Sequence, residues 1–142
     1  MKIKKFGYLF VITTISLILV AACTSSKTAE DDALDGTSWQ LKFYRKTTPI
    51  PGSSITARFA GGEITGSAGC NTYGGVYQIN GPEISISDIN FTEMACMDPE
   101  GVMEQEQMYL EWLNDAYIYQ LSDEQLQIFW TAQEALTFVP ED

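Results

Sequence analysis

The feature that most constrains the fold of this chain is an alternation of apolar and polar residues that returns at short intervals. A period of two places successive side chains on opposite faces, which is the pattern of a β-strand with one buried face. Clusters of Gly, Pro and Asn separate these segments and are typical of turns. Short strands at this spacing predict an antiparallel sheet or a small, partly closed barrel. The alternating segments are Trp39–Phe43, Ile55–Phe59, Ile84–Ile86, Tyr117–Leu121, Leu126–Trp130 and Leu136–Phe138.

One segment breaks this alternation and predicts a helix from Pro99 to Asn114. Asp98 is a suitable N-cap, and Pro99 suits the first helical position because it has no amide hydrogen to leave unpaired. Glu106 falls within the apolar face of this helix, and we expect it to lie at the edge of that face. The fold class is therefore α+β, with one helix packed against the sheet. The residues predicted to share the apolar face are Val102, Glu106, Tyr109, Leu113 and Ala116.

The N-terminal segment has the order of a secretory signal. Met1–Lys5 is basic, Phe6–Val20 is apolar, and small residues precede Cys23. The sequence Val-Ala-Ala-Cys resembles the bacterial lipobox, which implies that residues 1–22 are a lipoprotein signal peptide and that the thiol of Cys23 carries a lipid. The alternative is an uncleaved transmembrane anchor, although an apolar stretch of about 17 residues, counted from Phe6 to Ala22, is at the short limit for crossing a bilayer.

Two further parts follow this signal. Residues 23–35 contain few apolar side chains and an acidic cluster, so they predict a flexible tether. Residues 36–142 are long enough for one domain and too short for two. We therefore expect a protein of the cell envelope that is lipid-anchored to a bacterial membrane, with its domain outside the cytoplasm. The choice between inner and outer membrane stays open.

Charge and composition exclude several functions. The chain has 19 acidic and 8 basic residues, a net charge of −11, and such an acidic body repels nucleic acids. The chain contains no histidine, which excludes Ser–His–Asp and Cys–His triads and the usual zinc and copper sites. We expect no metal, no cofactor and no enzymatic activity. A hydrolase that uses the carboxylates of Glu93, Asp98 and Glu100 is the remaining catalytic alternative.

Cys70 and Cys96 remain once Cys23 is assigned to the lipid. In an oxidising, exported setting they are candidates for a disulfide. Their separation of 26 positions corresponds to a stabilisation of about 3.5 kcal/mol in the chain-entropy model. Two buried thiols and a redox-active pair are the alternatives. The second of these lacks the Cys-x-x-Cys spacing and a basic neighbour that would lower a thiol pKa.

Three blocks of residues give the chain a resemblance to a known family. The blocks are Trp39–Leu41, Gly69–Tyr77 and Thr92–Cys96. They are similar to the META domain of HslJ-like bacterial lipoproteins, and the similarity extends over about Leu34–Pro140. The resemblance implies a compact, sheet-rich domain with one helix, in envelope proteins connected with stress tolerance. The two cysteine positions of the family match Cys70 and Cys96, and no catalytic or ligand-binding residue is implied.

The leading functional hypothesis is a monomeric, non-enzymatic envelope lipoprotein that binds an envelope protein or a small apolar ligand. Asn71 and Tyr73 lie beside a Gly-rich turn and are the candidate pocket residues. The alternative is an inhibitor-like module whose acidic surface blocks a basic partner enzyme. The aromatic residues predicted as contact candidates, if exposed, are Trp112, Tyr117, Tyr119 and Trp130.

Overall fold

The computed structural model describes residues 32–141, which form eight strands and one helix. The predicted signal peptide 1–22, Cys23 and most of the predicted tether lie outside the described residues. Within the described part of the chain, no helix has the length and apolar character needed to cross a membrane. The elements are β1 (Ser38–Tyr44), β2 (Ser54–Ala60), β3 (Glu63–Gly69), β4 (Thr72–Asn80), β5 (Glu83–Phe91), α1 (Val102–Asn114), β6 (Ile118–Ser122), β7 (Gln125–Phe129) and β8 (Ala135–Pro140).

The strands form an antiparallel sheet that closes into a ring of hydrogen bonds. Each strand pairs with the next in chain order, and β1 also pairs with β8. The pairing of β5 with β6 is the shortest, through Glu83 and Ile118, and α1 lies in the connection between these two strands. The helix packs against β3 and β5. The structure thus confirms an α+β fold with one helix packed on an antiparallel sheet.

Alternate strand residues fill the interior of this ring. Ile55, Ala57 and Phe59 of β2 are buried, whereas Arg58 between them is exposed. Apolar burial of this kind is the main favourable contribution to folding. The rest of the core comes from the segment before β1, from other strands, from α1 and from the residue two positions after it: Leu34, Trp39, Leu41, Ile64, Ala68, Tyr73, Tyr77, Ile84, Ile86, Tyr109, Leu110, Trp112, Leu113, Ala116, Leu126, Ile128, Leu136 and Phe138.

The alternation of β1 changes after Leu41. Trp39 and Leu41 are buried, but the pairing of β1 with β8 shifts between Leu41 and Phe43. Such a bulge inserts one extra residue, which reverses the face on which the following side chain lies. Phe43 therefore lies outside the ring with 40% of its surface exposed. The predicted alternation is correct for the first two residues and wrong for Phe43.

The helix begins three residues later than predicted. Its N-cap is Gly101, with φ of 83°. Within the described residues, no side chain accepts a capping hydrogen bond from the first turn of the helix. A positive φ favours glycine because it has no β-carbon. The assignment of Asp98 as the N-cap is therefore wrong, and Pro99 lies in the preceding turn, where its carbonyl accepts a hydrogen bond from the Val102 amide at 3.2 Å.

The last four residues of the predicted tether, 32–35, are part of the folded domain. Leu34 is fully buried in the core. The carboxylate of Asp32 accepts a hydrogen bond from the Tyr77 hydroxyl at 2.6 Å, and that of Asp35 accepts one from the Gly61 amide at 2.6 Å. This segment therefore contributes one core residue and two carboxylates, which accept hydrogen bonds from β4 and from the β2–β3 turn.

Candidate binding groove

A groove of about 740 Å³ runs between α1 and the C-terminal half of β5; we call it the α1–β5 groove. Its apolar lining comes from Ile89 and Phe91 on the strand and from Met103 and Leu110 on the helix. Phe91 keeps 50% of its surface exposed. Concave surfaces lined by accessible apolar side chains are typical of binding sites.

The rim of this groove is acidic. Glu104, Glu111 and Asp115 line it, and the described lining includes no Lys or Arg. Glu104 and Glu111 are seven residues apart, as are Met103 and Leu110, so each pair follows one row along two turns of the helix. The groove therefore presents an apolar strip beside a negatively charged one, which favours a ligand that carries both apolar and cationic groups.

A bulge in β5 directs the strand side of the groove. Ile84 and Ile86 point into the core, but the pairing with β4 shifts near Asp88, whose φ is 53°. The extra residue reverses the face, so Ile89 and Phe91 lie on the same side of the sheet as Ile84 and Ile86, where they line the groove against α1. Gly75 lies at the same shift, where a β-carbon would come within 3.0 Å of the Ser87 carbonyl oxygen.

The inner wall of the groove is held by the buried carboxylate of Glu106, which is only 4% exposed. The prediction that Glu106 lies at the edge of the apolar face is wrong. One carboxylate oxygen accepts hydrogen bonds from the amides of Cys70 at 3.2 Å and Asn71 at 2.6 Å, and the other accepts one from Asn71 Nδ2 at 2.7 Å. These three donors offset the cost of removing the carboxylate from water.

Asn71 extends this network to the segment that precedes α1. Its Oδ1 accepts hydrogen bonds from the Thr92 hydroxyl and the Met94 amide, both at 2.8 Å. Its Nδ2 also donates to the Met94 carbonyl at 3.1 Å. The side chain is 1% exposed, and all its donors and acceptors are satisfied internally. Asn71, predicted as a pocket residue, therefore joins the β3–β4 turn, the 92–94 segment and the helix.

Tyr73 is likewise buried, and it does not line the α1–β5 groove. Its hydroxyl lies 2.7 Å from that of Tyr109 and donates to the Thr56 carbonyl at 3.0 Å. Burial, the largest cause, raises the pKa of both tyrosines well above the ordinary value. Tyr73, also predicted as a pocket residue, thus ties β4 to β2 and to α1.

A disulfide between Cys70 and Cys96 closes the same region, with 5.9 Å between the two Cα atoms. Of the three alternatives for these cysteines, the structure contains the disulfide. The Cys96 amide also donates a hydrogen bond to the sulfur of Met103 at 3.4 Å. Through the disulfide and this hydrogen bond, the β3–β4 turn is connected to a residue that lines the groove. Covalent and hydrogen-bonded links therefore converge on one side of the α1–β5 groove.

Comparison with known proteins agrees with this architecture. The family model of the META domain matches residues 32–142. The chain belongs to the META domain family. No curated protein matches the chain.

Solved structures share the fold of this META domain. An NMR structure of a protein from Burkholderia xenovorans is 27% identical and covers 76% of this chain and 83% of its own, with a TM-score of 0.64. A second NMR structure is 23% identical, covers 75% of this chain and 91% of its own, and has a TM-score of 0.61. A crystal structure of a DUF4847 family protein from Bacteroides vulgatus is 19% identical, covers 78% and 97%, and has a TM-score of 0.54. The last two support the fold alone.

The other predicted site residues lie away from the groove of this META domain. Glu93, Asp98 and Glu100 are exposed, and no hydrogen bond joins them to each other within the described residues. Among the predicted aromatic contacts, Tyr117 is the most exposed, at 41%, whereas Trp112 is buried. In the described range, no three metal-ligating side chains of the His, Cys, Asp and Glu types converge.

The residues that form the groove were not predicted as a site from the sequence. Phe91 and Met103 are 12 positions apart along the chain and line one groove because α1 packs against β5. Gln105 was also missed: it is buried, and its Oε1 accepts a hydrogen bond from the Ile50 amide at 2.7 Å. Two features of the sequence could have indicated the groove: Phe91 is an apolar residue at the end of a strand, and Met103 lies outside the main apolar face of the helix.

Proposed function

We propose that this META-domain protein is a lipid-anchored, non-enzymatic binding module of the cell envelope. In this proposal the α1–β5 groove binds a segment of an envelope protein that carries apolar and basic side chains. The observation that carries the proposal is the apolar floor of the groove beside an acidic rim. Burial of the floor supplies affinity, and the rim selects the charge of the segment.

The anchor is supported by the lipobox-like sequence that ends at Cys23. The folded domain begins by residue 32, so residues 24–31 separate it from the lipid-bearing position. Eight extended residues span at most about 28 Å. A tether of this length would keep the domain close to the membrane surface, where the segments of envelope proteins near the membrane are within its reach.

The non-enzymatic role is supported by how the carboxylates are used. Glu106, the buried carboxylate of the groove, accepts three hydrogen bonds that position the main chain. Catalytic acids and bases need to contact the reacting atoms of a substrate. Glu106 instead supports the wall, and the carboxylates of the rim are exposed and spread along the helix.

A polypeptide segment fits the groove better than a small apolar ligand. A neutral apolar molecule would gain from the floor but would make no favourable use of Glu104, Glu111 and Asp115. An amphipathic segment can place an apolar row on the floor and a basic row against the rim, in the manner of other groove-bound peptides. Charge complementarity is therefore the argument for this occupant.

The test uses peptides of defined chemistry and the domain 32–142, once circular dichroism has shown that the isolated domain is folded. Three 18-residue fluorescent peptides are compared by anisotropy: amphipathic Leu/Lys, the same pattern with Leu/Glu, and Ser/Lys without apolar residues. We expect the Leu/Lys peptide to bind at least about tenfold more tightly than either of the others. Equal binding of the Leu/Lys and Leu/Glu peptides would refute a selective rim.

Variants locate the binding surface. Phe91→Ser and the double variant Glu104→Lys/Glu111→Lys are expected to weaken Leu/Lys binding about tenfold. The matched controls are Phe43→Ser, an exposed aromatic outside the groove, and Glu124→Lys in the β6–β7 turn. If the neutral probe N-phenylnaphthylamine displaces the peptide and binds more tightly, a small apolar ligand is the better assignment.

The second candidate is an acidic module that blocks a basic enzyme. Of the 19 acidic residues, only Glu30, Asp31 and Asp142 lie outside residues 32–141, which contain four Lys and Arg residues. Such a charge imbalance accelerates association with basic proteins, and its effect declines with salt. Partners that remain bound at about 1 M sodium chloride would count against this candidate.

A further inference from the structure

A second groove, of about 780 Å³, lies on the outer face of β1, β7 and β8; we call it the β1–β7–β8 groove. Its character differs from that of the α1–β5 groove, because its lining combines cations, aromatic rings and side-chain amides. Glu134 is the one carboxylate among the described residues that line it. The lining residues are Phe43, Arg45, Lys46, Gln125, Gln127, Phe129, Gln133, Glu134, Ala135 and Thr137.

Two of the four Lys and Arg residues of 32–141, Arg45 and Lys46, line this groove. Lys42, Arg45 and Lys46 lie within five residues, and Arg58 on β2 is the remaining Lys or Arg of residues 32–141. Arg45 pairs with Glu134 at 3.2 Å, whereas Lys46 has no carboxylate within ion-pair distance in the described part of the chain. The lining therefore carries a net positive charge on a domain that is otherwise strongly acidic.

The two cations of the lining occupy an unfavourable backbone conformation. Tyr44 and Thr47 exchange backbone hydrogen bonds of 2.8 and 2.7 Å around a two-residue turn, in which Arg45 has φ of 46° and Lys46 has φ of 66°. Turns with two positive φ values strongly favour Asn-Gly. Strained backbone of this kind concentrates at functional sites. Two cationic residues therefore occupy a turn whose backbone conformation is less stable with them than with Asn-Gly.

Arg45 is also held in a defined orientation. Its guanidinium carbon lies 5.0 Å from the centroid of the Trp112 ring, which in turn stacks on Trp130 with 4.7 Å between centroids. A cation over an indole face is an attractive arrangement. The guanidinium is therefore positioned before any ligand arrives, which lowers the entropy cost of binding.

Beside this turn, a row of paired residues crosses the outer face of the sheet, with one aromatic side chain followed by three polar ones. Phe43 pairs with Thr137, Thr137 with Gln127, and Gln127 with Gln120 of β6. The bulge in β1 places Phe43 in this row. Side-chain amides both donate and accept hydrogen bonds, which suits the hydroxyl groups of sugars, and an exposed aromatic ring can pack against the C–H face of a sugar ring.

We propose that the β1–β7–β8 groove binds an acidic oligosaccharide. Phe43 and Phe129 contact the faces of sugar rings, Gln125 and Gln127 bind hydroxyl groups, and Lys46 binds a sugar carboxylate. An anionic lipid headgroup would use the cations of the turn but would leave the row of amides without a role. The combination of amides, aromatic rings and cations therefore favours the oligosaccharide.

The test titrates the full chain, held in phosphatidylcholine nanodiscs, with an alginate hexamer, a polymer of uronic acids, and follows heat of binding. Cellohexaose, a neutral hexamer, and phosphatidylglycerol nanodiscs are the comparison ligands. We expect the alginate hexamer to bind at least about tenfold more tightly than cellohexaose. Failure of the alginate hexamer to bind, equal binding of the neutral hexamer, or a preference for phosphatidylglycerol would overturn the proposal.

Variants distinguish this groove from general charge attraction. Lys46→Glu is expected to weaken alginate binding about tenfold and Phe43→Ala about fivefold, whereas Arg58→Glu, the matched exposed cation on β2, should change it less than twofold. Lys46→Gly should weaken binding while raising the melting temperature, because glycine accepts the positive φ. An equal loss in Arg58→Glu, or full affinity in Lys46→Glu, would contradict the assignment.

Discussion

At the scale of single residues, the α1–β5 groove depends on Glu106, which lines its inner wall, and on Asn71, which is buried and donates a hydrogen bond to Glu106. Their side chains hold the β3–β4 turn, the segment before α1 and the helix itself in one arrangement. A buried carboxylate among hydrogen-bond donors is stable only while those donors remain in place. The shape of the groove thus depends on buried polar side chains and their hydrogen bonds.

Replacement of Glu106 by Ala removes the acceptor of three donors, of which the two on Asn71 are buried. Because each unpaired buried polar group costs about 1–3 kcal/mol, we expect the free energy of unfolding to fall by at least about 2 kcal/mol. Urea denaturation measures this loss. Glu104→Ala, an exposed change on the same helix, serves as the control and should alter stability by less than about 0.5 kcal/mol.

A double-mutant cycle with Asn71→Ala tests whether the two residues act together. When two residues belong to one hydrogen-bond network, the stability loss of the double variant differs from the sum of the two single losses by about 0.5–3 kcal/mol. We expect the double variant to be more stable than the sum of the single losses implies, by at least about 1 kcal/mol. Strict additivity would show that Asn71 and Glu106 stabilise the fold independently.

The buried tyrosines predict a dependence of stability on pH. Burial raises the pKa of Tyr73 and Tyr109 in the folded state, so folding favours their neutral forms. Unfolded tyrosines ionise near pH 10. The contribution of these residues is therefore complete below about pH 10 and is lost as the pH rises towards their folded pKa values.

The free energy of unfolding should accordingly decrease above about pH 10, as measured by urea denaturation from about pH 8 to about pH 11. The variant Tyr73→Phe/Tyr109→Phe should be less sensitive over the same range, because it has lost two of the groups that couple folding to protonation. An unchanged slope in that variant would assign the alkaline sensitivity to other groups, such as Tyr77.

At the scale of secondary structure, glycines allow β2, β3 and β4 to pack closely. A β-carbon at Gly66 would overlap the Thr56 carbonyl, the group that accepts the Tyr73 hydroxyl. We expect Gly66→Ala to destabilise the protein by at least about 2 kcal/mol. Gly74→Ala is the matched control, since its β-carbon would come no closer than 3.7 Å to another atom. Equal melting temperatures for the two variants would contradict this account.

The elements also explain what the sequence could and could not predict. Alternation identified β1, β2, β7 and β8 because each repeats buried and exposed positions with a period of two. It did not reveal the bulges at Phe43 and Asp88, because an extra residue changes pairing without changing composition. The start of α1 was misplaced because Asp98 and Pro99 suit a helix N-terminus, yet Gly101 takes the cap position by its left-handed backbone.

At the scale of the whole molecule, two grooves of different chemistry lie on one small acidic domain. The fold and family could be predicted, because the motifs around Cys70 and Cys96 are local in sequence. The grooves could not, because each forms from segments that meet only after the ring of strands closes and α1 packs on it. Burial of Glu106 likewise depends on the β3–β4 turn, 35 positions before it.

The most direct test of the proposed function is methyl NMR of the domain 32–142 with labelled methionines. Met103 lines the α1–β5 groove, whereas Met94, Met97 and Met108 lie outside its lining and act as internal controls. On titration with the Leu/Lys peptide, we expect the Met103 methyl resonance to shift with saturation while that of Met97, 90% exposed, stays in place. Saturable shifts of Met94 or Met97 with an unmoved Met103 would contradict binding in this groove.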